Sequence, residues 1–364
     1  MRCDIVMAVH DQIEYTKECV ESVQQNTRFP HRIIIVDDAS KTETAVYLDQ
    51  LAESGRIVLL RNPVNLGWVG TVNKGLESSD AEYVCVMNND TRVFPGWLDE
   101  MVRIAESNEQ IGVVNPSWQL PRGCRMKPEV YFKQVVMKQQ GKYIEMDWAR
   151  GFCFLIKRRV IEKIGGLDDL FAPVYYDDWD YSIRAITEGF TCVRAEGAFV
   201  WHYGNVTYEH MLGRTKLNMA LIRKKEVFEK KWGRSLRIGL FIDKFLEKER
   251  DAIHDLTLRL LRDQNRLEVT DGIGCFDVRH INCRVKRASG GVLTAMAVFS
   301  LLSNLRCKKD KRYDAIICSA RLRSILSDIP FVKDSFNIWG VDPDGAHRFD
   351  GLLDAINKIK HQPR

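Results

Sequence analysis

The chain has 364 residues and ten cysteines, and no two of those cysteines form a CxxC pair. Several sit inside apolar, strand-like runs, where a thiol behaves as a small hydrophobe. A zinc site is therefore not expected, and a reduced setting is. Long hydrophobic runs are also missing. The longest, over 292–302, is too short to cross a bilayer. The chain opens in a strand-like segment without a basic stretch and apolar core ahead of it, so no secretory signal is expected. A strong excess of one charge sign is missing too, since 54 Lys and Arg against 49 Asp and Glu leave a formal net charge of only +5. That does not demand nucleic acid, and no aromatic-plus-basic RNA motif accompanies it. It suits an anionic ligand or an anionic membrane surface. Finally, no GxGxxG follows the first strand-like run, which argues against a dinucleotide-binding fingerprint.

What is present is ordinary globular composition, 45% hydrophobic and 28% charged, in a length that suits two domains or one large domain with an appendage. Strand-like runs at 4–10, 32–36 and 56–61 alternate with helical periodicity near 15–23 and 42–53. This spacing implies parallel crossovers and a doubly wound α/β sheet. Asp37-Asp38-Ala39-Ser40 closes the second strand. A turn-rich loop, Asn62 to Gly70, follows the third and leads into Thr71-Val72-Asn73-Lys74-Gly75. Its glycines permit close backbone approach, and the helix start beyond it would offer free N–H groups to a phosphate. A plain loop-to-helix connection would read the same way.

Three further stretches carry chemistry. Val84-Cys85-Val86-Met87 reads as a buried strand that ends abruptly in Asn88-Asn89-Asp90-Thr91. In open α/β sheets ligands bind beyond the carboxyl ends of the strands, and a carboxylate there suits Mg²⁺ or Mn²⁺ on a diphosphate. An Asn/Asp-rich turn with no ligand is the other reading. Asp177-Asp178-Trp179-Asp180 places three carboxylates in four positions. These are either helix N-terminal caps or a general base with its neighbours. His202 follows near the end of a later strand and could be structural or a metal ligand. The segment 118–144 has little periodicity and is a candidate acceptor-side loop.

In this order, Asp37-Asp38-Ala39-Ser40, Asn65-Leu66-Gly67, Asn88-Asn89-Asp90-Thr91, Asp177-Asp178-x-Asp180 and His202 resemble the GT-A glycosyltransferases of family 2, most closely the bacterial rhamnosyl- and galactofuranosyl-transferase-like branch. The resemblance covers about residues 1–235. It implies a GT-A nucleotide-diphospho-sugar transferase fold and an inverting, metal-dependent hexosyltransferase. Such an enzyme moves a sugar from a nucleotide diphosphate-sugar to a hydroxyl of a glycan or lipid-linked saccharide in polysaccharide biosynthesis. It further implies that Ala8, Val9, Asp37, Asp38, Arg61, Asn65, Gly67, Asn73, Asn88 and Asn89 contact the donor. Asp90 and His202 would hold Mn²⁺ or Mg²⁺, and Asp178 would be the base with Asp177 in the position of its acidic partner. Asp180 would orient structure. Asn88 departs from the family pattern, standing where an aspartate is common. A sugar-nucleotide nucleotidyltransferase and a catalytically silent scaffold of the same fold are the alternatives.

Domain limits are expected at 1–235 for the catalytic unit, 236–266 for a helical connection and 267–364 for a small α/β module that carries no chemical motif. The stretch 216–233 reads as a basic amphipathic helix, either packed on the catalytic unit or laid on an anionic membrane. The expected location is cytoplasmic, with peripheral contact at the inner membrane face.

Overall fold

The computed structural model describes residues 1–362 apart from 122, 205, 244–245, 247–248, 275, 289–292, 306, 308–311, 330–335 and 342–347. Within its helices and strands, the side chains at 206–214, 216, 294–295, 299, 302, 305, 341 and 348–350 are also not described. Cys275, the expected helix start at Gly291 and Val292, and the side chain of Lys216 thus lie outside the described residues. The chain divides into two compact units, 1–227 and 228–364.

In the first unit, β1 (Cys3–Val9), β2 (His31–Asp38), β3 (Val58–Asn62) and β4 (Tyr83–Asn88) run parallel in the order β3-β2-β1-β4. The sheet continues through β8 (Cys153–Lys157), β6 (Ile111–Ser117), β9 (Thr191–His202) and β5 (Thr91–Val93), with β7 (Tyr143–Met146) paired to β9. Here β8 is antiparallel to both of its neighbours. Successive strand side chains face opposite ways, so each strand of a sheet covered on both faces is apolar throughout. Ile5, Met7, Ile33, Ile35, Cys85 and Met87 point to one face. There they pack with Cys19, Val20 and Val23 of α1 (Ile13–Asn26), Leu48 and Leu51 of α2 (Thr42–Glu53), and Trp97, Leu98 and Met101 of α4 (Trp97–Glu106). Val6, Ile34, Val84 and Val86 point to the other face. They meet Val69, Val72 and Leu76 of α3 (Gly67–Glu77), Val160 of α6 (Arg158–Ile164), and Tyr181 and Ala185 of α7 (Asp177–Thr187). Helix α3 lies close on the sheet because Gly75 has no Cβ. One built there would come 2.3 Å from Val6 Cγ1.

Several expected elements differ in extent. The region 118–144 contains the short α5 (Pro128–Gln134), a 3₁₀ turn (Val136–Gln139) and the start of β7. The strand carrying Cys192 and the one carrying His202 are a single strand, β9, whose pairing with β6 shifts register between Pro116 and Ser117. Helix α8 (Val206–Trp232) is not amphipathic as expected. Leu217 and Phe228 are buried, whereas Met219 and Ile222 are exposed, so apolar residues lie on opposite sides. Among the described residues, no helix is long and apolar enough to cross a membrane.

The second unit has five parallel strands in the order β12-β11-β10-β13-β14, with β10 (Arg237–Ile242) central. The expected helical connection over 236–266 is therefore corrected. Its first part is that central strand, and only α9 (Arg250–Arg262) is helical. The reason is that Ile238-Gly239-Leu240-Phe241-Ile242 is a short continuous apolar run, which periodicity alone cannot assign to strand or helix. Its neighbours are β11 (Arg266–Asp271), β12 (Cys283–Arg287), β13 (Ala315–Ser319) and β14 (Ile338–Val341).

Candidate active site

The carboxyl ends of β1, β2, β3 and β4 reach one edge of the sheet, where the strand order reverses, and the sequence-predicted residues gather there. Val9 is fully buried and Ala8 partly buried, so Val9 presents only backbone to that edge. Asp37 Oδ1 accepts from Ser40 N (3.0 Å) and Oδ2 from Arg61 Nε (3.1 Å). Arg61 also reaches Asp49 (2.9 Å) and the carbonyl of Ala45 (2.9 Å). Asp38, 3% exposed, accepts from Asn62 Nδ2 (2.8 Å) and Leu66 N (2.8 Å) at Oδ1, and from Gly67 N (2.9 Å) at Oδ2.

This corrects the expectation of free N–H groups for a phosphate. Helix α3 begins at Gly67, and its leading amides are already taken. Asp38 caps Leu66 and Gly67, Asn65 Oδ1 also accepts from Gly67 N (3.0 Å), and Val69 N donates to Pro173 O (3.1 Å). A carboxylate at a helix N-terminus is stabilised by the same partial charge a phosphate would use. Asn73 is likewise committed inside the protein. Its amide donates to Leu167 O (2.9 Å) and accepts from Leu167 N (2.7 Å). Asn89 turns inward and donates to Thr16 Oγ1 (2.9 Å), at 6% exposure. It too is structural.

Asn88, Asp90 and His202 do come together. Strand β5 pairs Thr91 with His202, and this brings His202 Nε2 to 3.2 Å from Asp90 Oδ1 and 3.4 Å from Asn88 Nδ2. The imidazole stacks on Phe152, with ring centroids 4.8 Å apart at 17°. Asp90 is 3% exposed, and its Oδ1 accepts no hydrogen bond among the described residues. A buried carboxylate oxygen left without a donor and facing an imidazole nitrogen is a suitable pair of donors for a divalent cation. Among the described residues, no group of three or more His, Cys, Asp or Glu is placed to hold a metal ion.

Across the same cavity lies the start of α7. Tyr175 and Tyr176 have positive φ (78° and 67°), a backbone conformation uncommon outside glycine, and this bend delivers Asp177 and Asp178 to the cavity wall. Asp178 Oδ2 accepts from Gly151 N and Oδ1 from Trp179 N, both at 2.8 Å. Burial raises its pKa against the stabilising effect of those two N–H groups. Asp177 accepts from Trp68 Nε1 (2.9 Å). Burial, then the neighbouring Asp178 carboxylate, raises its pKa as well. Asp180 is fully buried and pairs with Arg184 Nε (2.8 Å), whose other nitrogens hold the carbonyls of Ile164 and Gly166. Its role is to fix α7 against the end of α6.

Trp68, Asn88, Arg150, Gly151, Phe152, Tyr176, Asp177, Asp178 and His202 are among the residues lining one cavity of about 440 Å³. Sequence reasoning missed its aromatic lining, Trp68, Trp118, Phe152, Tyr175 and Tyr176. Outside the lining, Trp179 stacks on Tyr176 (5.6 Å) and Trp148 on Trp179 (4.2 Å). The Arg150 guanidinium lies 3.9 Å from the Trp148 ring and 5.6 Å from Trp118, which in turn meets Phe152 (5.6 Å). The available signal was tryptophan and arginine at strand and helix boundaries outside any apolar period.

The first unit is thus a mostly parallel α/β sheet covered by helices on both faces, with carboxylates, an amide and an imidazole at its switch point. The family model described as "Glycosyl transferase family 2" matches residues 4–165. The chain is 24% identical over 225 residues to the O-antigen biosynthesis protein RfbC of Myxococcus xanthus, covering 53% of this chain and 16% of that protein. It is 27% identical over 177 residues to the glucosyl-dolichyl phosphate glucuronosyltransferase of Haloferax volcanii, covering 46% and 56%. The matched stretch thus spans well under two thirds of either relative. Among solved structures, the mannosyltransferase PcManGT from Pyrobaculum calidifontis, in complex with GDP-Man and Mn²⁺, aligns with a TM-score of 0.47 at 16% identity. That alignment covers 62% of this chain and 64% of that one.

Proposed function

We propose that the chain transfers a sugar, with inversion, from a nucleotide diphosphate-sugar to a hydroxyl of a glycan or lipid-linked acceptor, in the building of a polysaccharide. The observation that carries this reading is that Asp178 and the Asn88–His202 pair line the same cavity, with the unpartnered Asp90 oxygen beside His202. Asp178 takes the proton from the acceptor hydroxyl while that oxygen attacks the anomeric carbon, and the bond from that carbon to the diphosphate oxygen breaks. A single attack from the face opposite the leaving group inverts the anomeric centre. Two backbone N–H groups hold the Asp178 carboxylate in place, and burial makes it a stronger base than an exposed aspartate. Asp177, in the position of the acidic partner, is held by the Trp68 indole N–H.

Asp90 and His202 would hold Mn²⁺ or Mg²⁺, with the remaining ligands drawn from phosphate oxygens and water, and that ion would neutralise charge on the departing diphosphate. Asn88, beside His202, would bind donor hydroxyls or an ion-bound water. Asp37 and Arg61, joined to each other at the rim, would contact the nucleoside, with Asn65, Gly67 and the backbone of Ala8 and Val9 beside them. On α8, Met219 and Ile222 are exposed near Arg223 and Lys225, a set that suits contact with an anionic bilayer where lipid-linked acceptors sit.

The test is hydrolysis and transfer with a panel of nucleotide-sugars in Mn²⁺, Mg²⁺ or EDTA. Asp178→Asn should lower transfer by about 10²- to 10⁴-fold with donor binding retained, the usual range for losing a general base. Asp90→Ala should abolish metal dependence. Failure of every donor to bind by calorimetry would defeat the proposal.

A further inference from the structure

Next to the cavity of the proposed reaction lies a second one, of about 360 Å³, and the two share Trp118 and Gln119. Its other polar and aromatic lining is Ser117, Tyr131, Gln139, Arg194 and Glu196. It sits at the end of β6 and the middle of β9, beneath α5 and the 3₁₀ turn, and none of the catalytic roles assigned above uses it. Trp118 stands between two cations. The Arg150 guanidinium, from the first cavity, lies 5.6 Å from its ring centroid, and that of Arg194, from the second, lies 5.9 Å from it. Arg194 pairs with Glu196 (3.1 Å), while its buried Nε has no acceptor among the described residues.

The chemistry of this lining selects among ligands. A diphosphate is disfavoured by the Glu196 carboxylate, and Glu196 already engages Arg194. A purely apolar group would leave the buried Arg194 Nε unpartnered and the remaining hydrogen-bonding capacity of the Arg194–Glu196 pair and the amides unmet. A neutral sugar ring meets both demands. Its C–H face covers an aromatic side chain, and its hydroxyls pair with planar amide, carboxylate and guanidinium groups.

The geometry points to a second saccharide subsite. The acceptor is an oligosaccharide of at least two units. The unit bearing the attacking hydroxyl occupies the first cavity beside Asp178, and the adjoining unit occupies the second, with Trp118 as the shared wall. This rests on the transferase reading above and names its acceptor class.

The test uses the full chain with its donor and a panel of fluorescently labelled mono-, di- and trisaccharides of glucose, galactose, mannose, rhamnose and N-acetylglucosamine. For the accepted sugar, kcat/KM should rise at least about tenfold from one unit to two. Glu196→Gln and Gln139→Ala, which alter only the second cavity, should each remove most of that gain. Both should leave donor hydrolysis, donor affinity and transfer to the monosaccharide unchanged. A wild-type enzyme that uses one- and two-unit acceptors equally well overturns the subsite, as does a gain that survives both variants. Those failures leave the transferase reading standing. Absence of donor binding would remove both.

Discussion

Replacing Asp38 by asparagine separates two roles that its position allows. As a reader of the donor nucleoside, Asp38 would affect binding and little else. The structure instead gives its carboxylate three donors, Asn62 Nδ2, Leu66 N and Gly67 N, at 2.8–2.9 Å with only 3% exposure. Asparagine keeps one acceptor oxygen, which can still serve Asn62 and Leu66, but it turns an NH₂ group toward Gly67 N. Gly67 N retains Asn65 Oδ1 at 3.0 Å, so no buried N–H is fully orphaned. The loss is then one charge-assisted hydrogen bond, about 1.5–3 kcal/mol, together with part of the helix-dipole interaction of up to about 1 kcal/mol. We expect Asp38→Asn to destabilise the first unit by about 2–3 kcal/mol. Urea denaturation followed by circular dichroism would show the lowered midpoint, and hydrogen exchange should quicken at the amides of Leu66 and Gly67. A variant within about 0.5 kcal/mol of wild type, the range of a featureless surface change, that nevertheless loses donor binding would refute the capping argument. It would return Asp38 to the nucleotide pocket.

Gly67→Ala should be harsher. The residue has φ +74°, and a Cβ there would lie 2.5 Å from Pro173 Cβ and 3.0 Å from its Cα. Left-handed strain and overpacking together suggest a loss of about 2–5 kcal/mol, readable in the same denaturation series. In the second unit His280 is 3% exposed, and burial lowers its pKa to about 3. A folded-state pKa below the unfolded value of about 6.5 means the unfolded chain binds the extra proton. Stability is therefore complete above about pH 6.5 and falls below it by up to about 1.4 kcal/mol per pH unit, until the folded pKa is reached. His280→Gln should flatten that dependence in urea midpoints measured at pH 7, 6 and 5. An unchanged slope would show that other groups govern the acid limb.

Sequence by itself determined the layered α/β architecture of the first unit, because periodicity and the apolar runs of β1, β2 and β4 are local properties that packing merely confirms. It also determined which loops face the ligand edge, since chain order fixes which strand ends are carboxyl ends. Asn88 and Asp90 stood out as polar residues at the end of an apolar run, Asp178 in a run of three carboxylates, and His202 near the end of a later strand; the fold brings all four to one cavity or its edge. The partner each polar side chain chooses was not legible. Asp38, Asn73 and Asn89 look like ligand contacts in one dimension, but the fold offers them Gly67, Leu167 and Thr16, and buried polar groups are satisfied by whatever is nearest in space. The aromatic lining was hidden likewise, because Trp68, Trp118, Phe152 and Tyr176 come from α3, the residue after β6, the loop before β8 and the residue before α7. Strand Arg237–Ile242 depended on tertiary structure as well. A short apolar run becomes a strand or a helix according to the neighbours that bury it, and two flanking parallel strands decided this one.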